Sequence, residues 1–297
     1  MERYRFQSLR QDKDIAIAIL MYLVPGLILT FLFQLLPIIM ALIYSFQKVN
    51  LMNNTARWVG LANYLSILQD GEFLESIVIT IKYWGMRVPL QVIVGFFLAL
   101  LISKPHSWTA TIRTIILVPV VTSMVVATSV LGLMFHPSNG LVNAILSMFH
   151  IPPQGFLTDP SQALWTIALI TIWKNCGMTM LFFLAGLMSI SDNLFEAADI
   201  DGANSLQKTR FITIPMLKTT FTFVFLLTTI RSFQVFGPIL LTTAGGPSGA
   251  TRVVVMNIYD EAFNYNQIGI SSAESVLLAC ILILISVAQR VLRRKEV

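Results

Sequence analysis

Residues 90–102 read Leu90-Gln91-Val92-Ile93-Val94-Gly95-Phe96-Phe97-Leu98-Ala99-Leu100-Leu101-Ile102. Gln91 aside, a helix or strand built from this stretch is apolar on every face, so it carries neither the alternation of a half-exposed strand nor the polar stripe of a surface helix. It lies in a longer apolar block, about 77–103, which exceeds the ~20 residues an α-helix needs to cross a bilayer core. Five more such blocks occupy about 15–46, 110–135, 163–190, 217–243 and 269–289. A porin-like barrel would show alternating ten-residue strands instead, and is excluded. The expected fold is all-α: a polytopic membrane helix bundle with six transmembrane helices.

Composition agrees. Of 297 residues, 56% are hydrophobic and 12% charged, against roughly 25% charged in soluble domains. The first block is longer than a signal-peptide core and lacks a small-x-small cleavage site, so it reads as a retained helix, tilted or bent by Pro25 and Pro37. Cys176 and Cys280 both fall in spanning blocks, where a thiol ordinarily fills space. His106, His136 and His150 lie in separate connections without a second ligand at metal spacing, and no metal is expected.

With the N-terminus cytoplasmic, the inside segments hold thirteen cations (Arg3, Arg5, Arg10, Lys13, Lys104, Arg113, Lys208, Arg210, Lys218, Arg290, Arg293, Arg294 and Lys295). The outside segments hold only Lys48, Arg57 and Arg252, and the connection 136–162 has no Lys or Arg at all. The positive-inside rule therefore places both termini in the cytoplasm. The expected organisation is a cytoplasmic segment over 1–14, a six-helix transmembrane domain over 15–290 and a basic cytoplasmic tail over 291–297. The net charge of +5 comes largely from inside-facing loops, which suits anionic membrane lipid as a partner and gives no sign of nucleic acid.

One cytoplasmic connection, about 191–215, has internal design. It runs Leu194-Phe195-Glu196-Ala197-Ala198-Asp199-Ile200-Asp201-Gly202-Ala203-Asn204-Ser205 and ends at Ile212-Thr213-Ile214-Pro215. Ser191 or Asp192 can cap a first short helix with Glu196 in its first turn, Gly202 can close it at positive φ, and Pro215 stops the second helix. Such a hairpin is either a docking knob, with Phe195, Leu206 and Phe211 as apolar anchors, or a solvated connector.

The segment resembles the EAA loop of ABC-importer permeases, whose pattern is EAA, three residues, Gly, nine residues, then I-x-L-P. The match falls on Glu196, Ala197, Ala198, Gly202, Ile212 and Pro215, with Ile214 where Leu is usual. The resemblance implies that this loop seats a coupling helix in an ATP-hydrolysing subunit, with Glu196, Ala197, Ala198, Asp201, Gly202 and Pro215 as coupling residues. The chain has no G-x-x-x-x-G-K-[S/T] phosphate loop, so it is not itself an enzyme; ATP and Mg belong to the partner ATPase and no cofactor is bound here.

A second stretch, Leu241-Thr242-Thr243-Ala244-Gly245-Gly246-Pro247 with Thr251 and Ile258-Tyr259 beyond it, resembles the LT-x-GGP pattern of the first permease in carbohydrate importers of the maltose, multiple-sugar and glycerol-phosphate type. Together the resemblances cover roughly 10–290. They imply a bacterial cytoplasmic (inner) membrane location, a second homologous permease, two ATPase subunits or domains, an extracytoplasmic solute-binding protein and a carbohydrate substrate.

Lys174 and Arg231 fall near the middle of their blocks and Arg87 about a third of the way into the second, with no acid at that depth. Each costs at least ~2.5 kcal/mol if it faces lipid. Thr228, Arg231, Ser232 and Val235 follow i, i+3, i+4, i+7 spacing on one helix face, and the resemblance makes that face part of the substrate pathway, with Lys174, Asn175 and Thr179 added from the fourth block. The cations suit an acidic sugar or a sugar phosphate; structural pairing with acids of a second permease is the competing reading. A secondary transporter without an ATPase is the alternative function, but the membrane acids it would need for ion coupling are missing. No Ser/His pair or H-E-x-x-H motif at membrane depth supports an intramembrane enzyme, and there are no catalytic residues to name.

Overall fold

The computed structural model describes residues 19–50, 55–103 and 108–294. The expected N-terminal segment and the last residues of the basic tail, 295–297, lie outside the described residues. The chain divides into two units, one formed by residues up to 67 with 261–277 and the other by 68–260 with the segment from 278 onward.

In the first unit, α1 (Ile19–Tyr44) is a 26-residue span with none of its most apolar window buried. Its turn at Phe31–Leu35 is a π-helix immediately ahead of Pro37. A proline ring collides with the carbonyl four residues back and supplies no N–H, and a widened turn absorbs both faults. After α1 come two strands that the sequence did not announce, β1 (Gln47–Asn50) and β2 (Thr55–Trp58), paired antiparallel with Lys48 opposite Arg57. Helix α2 (Ala62–Gln69) follows. Its Asn63 amide donates to the carbonyls of Ser45 (2.8 Å) and Gln47 (3.0 Å), fixing the hairpin to the end of α1.

The second unit is built on α3 (Gly71–Ser103), a 33-residue helix. Next come α4 (Thr109–Val121) and α5 (Met124–Met134), bent by 100° at the intervening break. The third apolar block is therefore not one straight helix. Thr122 and Ser123 are extended (ψ 145° and 138°), three and four residues past Pro119. Of the carbonyls at the break, Val118 keeps its helical donor, the Thr122 N–H (3.3 Å), and adds Thr122 Oγ1 (2.9 Å), while Val120 accepts from Lys174 Nζ at 3.0 Å.

Helix α6 (Leu141–Met148) sits in the connection 136–162 that lacks Lys and Arg. Asn143 holds that loop, donating to the Pro137 (2.8 Å) and Gln154 (2.9 Å) carbonyls and accepting from the Gln154 N–H (2.9 Å). Helix α7 (Ala163–Leu187) is the central span, followed by α8 (Asp192–Ile200), α9 (Ser205–Met216), α10 (Lys218–Phe233), α11 (Gly237–Thr242) and α12 (Val254–Tyr259). Helices α9 and α10 meet at 68°. The fifth block, expected to run to 243, leaves the helix at Phe233 because Gly237-Pro238 begins a new one. The last helix, α13 (Ile268–Arg294), starts in the first unit and ends in the second. Among the described residues four helices are continuous spans by length and apolarity, and the two bent pairs bring the number to six if each counts as one span.

Helices α3 and α7 form the main contact of the second unit. A Cβ on Gly95 would lie 2.3 Å from Thr179 Cγ2, and one on Gly177 would lie 2.6 Å from the Ile116 carbonyl oxygen. Close backbone approach through small residues is how helices pack where lipid removes the hydrophobic drive to associate. Phe96, Phe183 and Phe221 form a mutually tilted trio with centroids 4.6–5.5 Å apart in the core that also contains Val92, Met180 and Leu217. Polar ties cross the same helices: Tyr83 to Thr171 (2.8 Å), Trp84 to Thr229 (3.0 Å) and Gln91 to Thr179 (2.9 Å).

Candidate functional site

Within the second unit, α3, α7 and α10 surround a cavity of about 290 Å³ lined by Arg87, Met124, Thr171, Asn175, Arg231, Gln234, Val235, Phe236, Gly237 and Pro238. A smaller depression beside it shares Asn175 and Arg231 and adds Gln91, Thr179, Phe182 and Thr228. The lining is thus two guanidinium groups and several amides and hydroxyls on an apolar ground, with no carboxylate among the described residues. Arg87 is 3% exposed, its guanidinium 5.9 Å from the Tyr83 ring centroid and its Nε unpaired among the described residues. Arg231 is exposed at the mouth.

The structure brings five of the seven expected pathway residues to these cavities: Asn175, Thr179, Thr228, Arg231 and Val235. Val235 reaches the cavity from beyond the end of α10, so the expected four-residue helix face exists only in part. Ser232 is fully buried with Oγ unpaired among the described residues, and lines neither depression. Lys174 also lines neither; its ammonium reaches the Val120 carbonyl at the α4/α5 break. Gln91, Gln234 and Phe236 were not singled out from the sequence, and Arg87 was noted only as a membrane cation. Their cavity neighbours are distant in the chain, so no local spacing announces them.

The hairpin of residues 191–215 is formed by α8 and α9. Ser191 occupies the N-cap of α8 without a side-chain bond, Asp192 is the acid of the first turn, and Glu196 lies one turn further along than expected. At the other end Gly202 has φ +75°, and its N–H donates to Asp199 (3.1 Å) while the Ala203 N–H donates to Ala198 (2.9 Å). These are the paired hydrogen bonds of a Schellman cap, which needs the left-handed residue glycine supplies. Helix α9 opens with a reciprocal capping box between Asn204 and Gln207 (2.7 and 2.9 Å), and Lys208 pairs with Asp199 across the hairpin. Glu196, Ala197, Asp201, Gly202 and Pro215 are all exposed, and Ala198 is half-buried. Ile200, Leu206 and Phe211 are 87%, 77% and 69% exposed, an apolar tip on a structured base, while Phe195 is half-buried.

The Gly-Gly-Pro stretch is a tight turn with a cis bond between Gly246 and Pro247. Thr251 Oγ1 donates to the Gly246 carbonyl at 2.7 Å and contacts Thr243 Oγ1 at 2.7 Å. Arg252 then bridges Glu72 (2.8 Å) and Asp260 (3.2 Å), tying the turn to the start of α3.

The family described as binding-protein-dependent transport system inner membrane component matches residues 91–296. The chain belongs to this family. As a binding-protein-dependent permease it is a multi-pass inner-membrane transport component that works with a solute-binding partner. It is 32% identical over 255 residues to the trehalose/maltose transport system permease protein of Thermococcus litoralis, covering 86% of each chain. It is 31% identical over 270 residues to the sn-glycerol-3-phosphate transport system permease protein of Agrobacterium fabrum, covering 89% of this permease and 90% of the relative. Among solved structures, a chain of a bacterial ABC transporter involved in import of the acidic polysaccharide alginate matches with a TM-score of 0.84 and 25% identity over 96% of this permease and 99% of that chain.

Proposed function

We propose that this permease is one of two homologous membrane subunits of an ATP-driven importer, and that it admits a sugar or oligosaccharide bearing negative charge. The observation that carries the charge is the cavity lined by Arg87 and Arg231 with no carboxylate among the described residues. Unneutralised cations in a low-dielectric site are costly, and an anionic solute would relieve that cost during passage. The sugar assignment draws on the trehalose/maltose and alginate systems named above, and a phosphorylated solute is the cargo of the glycerol-phosphate relative. The secondary-transporter alternative draws no support from the family.

In this reading both termini are cytoplasmic, and the α8–α9 hairpin, with Glu196, Ala197, Ala198, Asp201, Gly202 and Pro215, docks on one of two ATPase subunits or domains that hold ATP and Mg. Closure of the ATPases moves the hairpin as a unit and with it α10. The binding protein delivers solute on the opposite side. Lys174 acts there as a structural donor to the broken span, and Asn175, Thr179, Thr228 and Arg231 face the solute, with Val235 as apolar wall.

The test is ATP hydrolysis by the reconstituted importer with its binding protein loaded with neutral or acidic oligosaccharides. Only the acidic ligand should stimulate. Arg231→Gln should raise the KM for acidic-ligand uptake about tenfold, the scale of one charge-assisted hydrogen bond, with basal hydrolysis unchanged. Equal stimulation by both ligands would remove the charge assignment and leave the importer assignment standing.

A further inference from the structure

A second cavity, about 720 Å³ and open on one side, lies in the first unit and has no part in the pathway just described. Lys48, Asn63, Ser66, Tyr265, Asn266 and Gln267 give it a polar lining. Its depth in the membrane can be read from its neighbours. Lys48 follows closely on the end of α1 at Tyr44, and Gly269 and Ile270, which also line it, are in the first turn of α13. A Cβ on Gly269 would lie 2.1 Å from the Gln47 carbonyl oxygen, so the strand rests directly on the start of that helix. Two spans therefore end at this cavity, which puts it at the membrane–water interface.

The surrounding side chains have the composition of that layer. Trp58 is 63% exposed and Tyr265 54% exposed, the amphipathic aromatics that collect at headgroup level. Lys48 and Arg57 are directly opposite on the hairpin, a like-charge cross-strand pair that repels unless an anion neutralises it. The hairpin strands carry no acid.

We infer that this cavity holds the phosphate-bearing headgroup of an anionic phospholipid, with Lys48 and Arg57 on the phosphate and the amides of Asn266 and Gln267 on the remaining polar groups. The exposed apolar side chains of the last turns of α1, such as Ile38 and Leu42, provide surface for the acyl chains. A lipid fits better than a protein partner because the two cations sit at a span end among interfacial aromatics.

The test uses the whole importer in nanodiscs of phosphatidylcholine doped with phosphatidylglycerol, with retained phospholipid counted by native mass spectrometry. The intact complex should retain phosphatidylglycerol in excess over phosphatidylcholine. The double variant Lys48→Gln/Arg57→Gln should retain it at least about ten-fold more weakly, the scale for losing two cation contacts to a headgroup. Ala62→Phe, which narrows the cavity without touching a charge, should also displace it. Equal retention by the double variant would overturn the proposal. So would displacement of the lipid by millimolar inorganic phosphate, which would make this a site for soluble anions. Loss of binding-protein affinity in the double variant with lipid count unchanged would also overturn it, by assigning the surface to that protein.

Discussion

The break between α4 and α5 turns the chain by 100° and is held by side chains, whereas the break between α9 and α10 turns it by 68° and is held by the backbone itself. At the first, Thr122 and Ser123 are extended and the Val120 carbonyl depends on a lysine from another helix. At the second, backbone hydrogen bonds reach both sides of the bend: Leu217 N–H donates to Thr213 (3.0 Å) and Phe221 N–H to Leu217 (2.8 Å). The widened turn Thr209–Thr213, Pro215 and Leu217 (φ −85°, ψ 6°) depart from α geometry there, and Leu217, 1% exposed, anchors the bend in the aromatic core. A bend inside a membrane protein can thus be satisfied remotely or locally, and the two kinds should fail differently.

Leu217→Ala should have the largest effect, a loss of about 3 kcal/mol from the emptied core site, read as a lower denaturant midpoint of the detergent-solubilised assembly. Because the backbone bonds at Leu217 do not depend on its side chain, helicity should be unchanged. Lys174→Met should cost about 1 kcal/mol by taking the donor from a part-buried carbonyl, and Lys174→Arg should recover part of it. If Lys174→Met instead left the midpoint alone and shifted the KM for solute, the lysine would belong to the pathway and the contrast between the breaks would collapse. Gly202→Ala should cost no more than that, about 1 kcal/mol for a Cβ at positive φ, and should show itself as weaker co-purification of the ATPase with the spans intact.

The same contrast explains what the sequence made legible. The six blocks were readable because a run longer than a bilayer is thick needs no partner to identify it. The α8–α9 hairpin was readable because its devices are local: Gly202 closes one helix two residues before Asn204 caps the next. Glu196 was expected one turn too early because the start of a helix depends on where the backbone leaves extended geometry, here at Ser191, and no single residue type dictates that point. The 100° break was not readable, since its stability rests on Lys174 from α7. The hairpin β1–β2 escaped notice because strands of four residues leave little periodicity to detect. For the cavity, Thr228 and Arg231 followed from helical spacing, whereas Arg87 and Gln234 join them only through the packing of α3 against α7 and α10.

The closed caps of the α8–α9 hairpin bear on the thermodynamics of assembly. A loop that ordered only on contact would lose backbone freedom at that moment, roughly 1–2 kcal/mol for each residue fixed. Here the Schellman bonds at Gly202, the Asn204–Gln207 box and the Lys208–Asp199 pair fix the shape in the lone chain. The proposed docking would then surrender little entropy, so that a small apolar tip of Ile200, Leu206 and Phe211 would suffice to hold a partner through repeated cycles of motion.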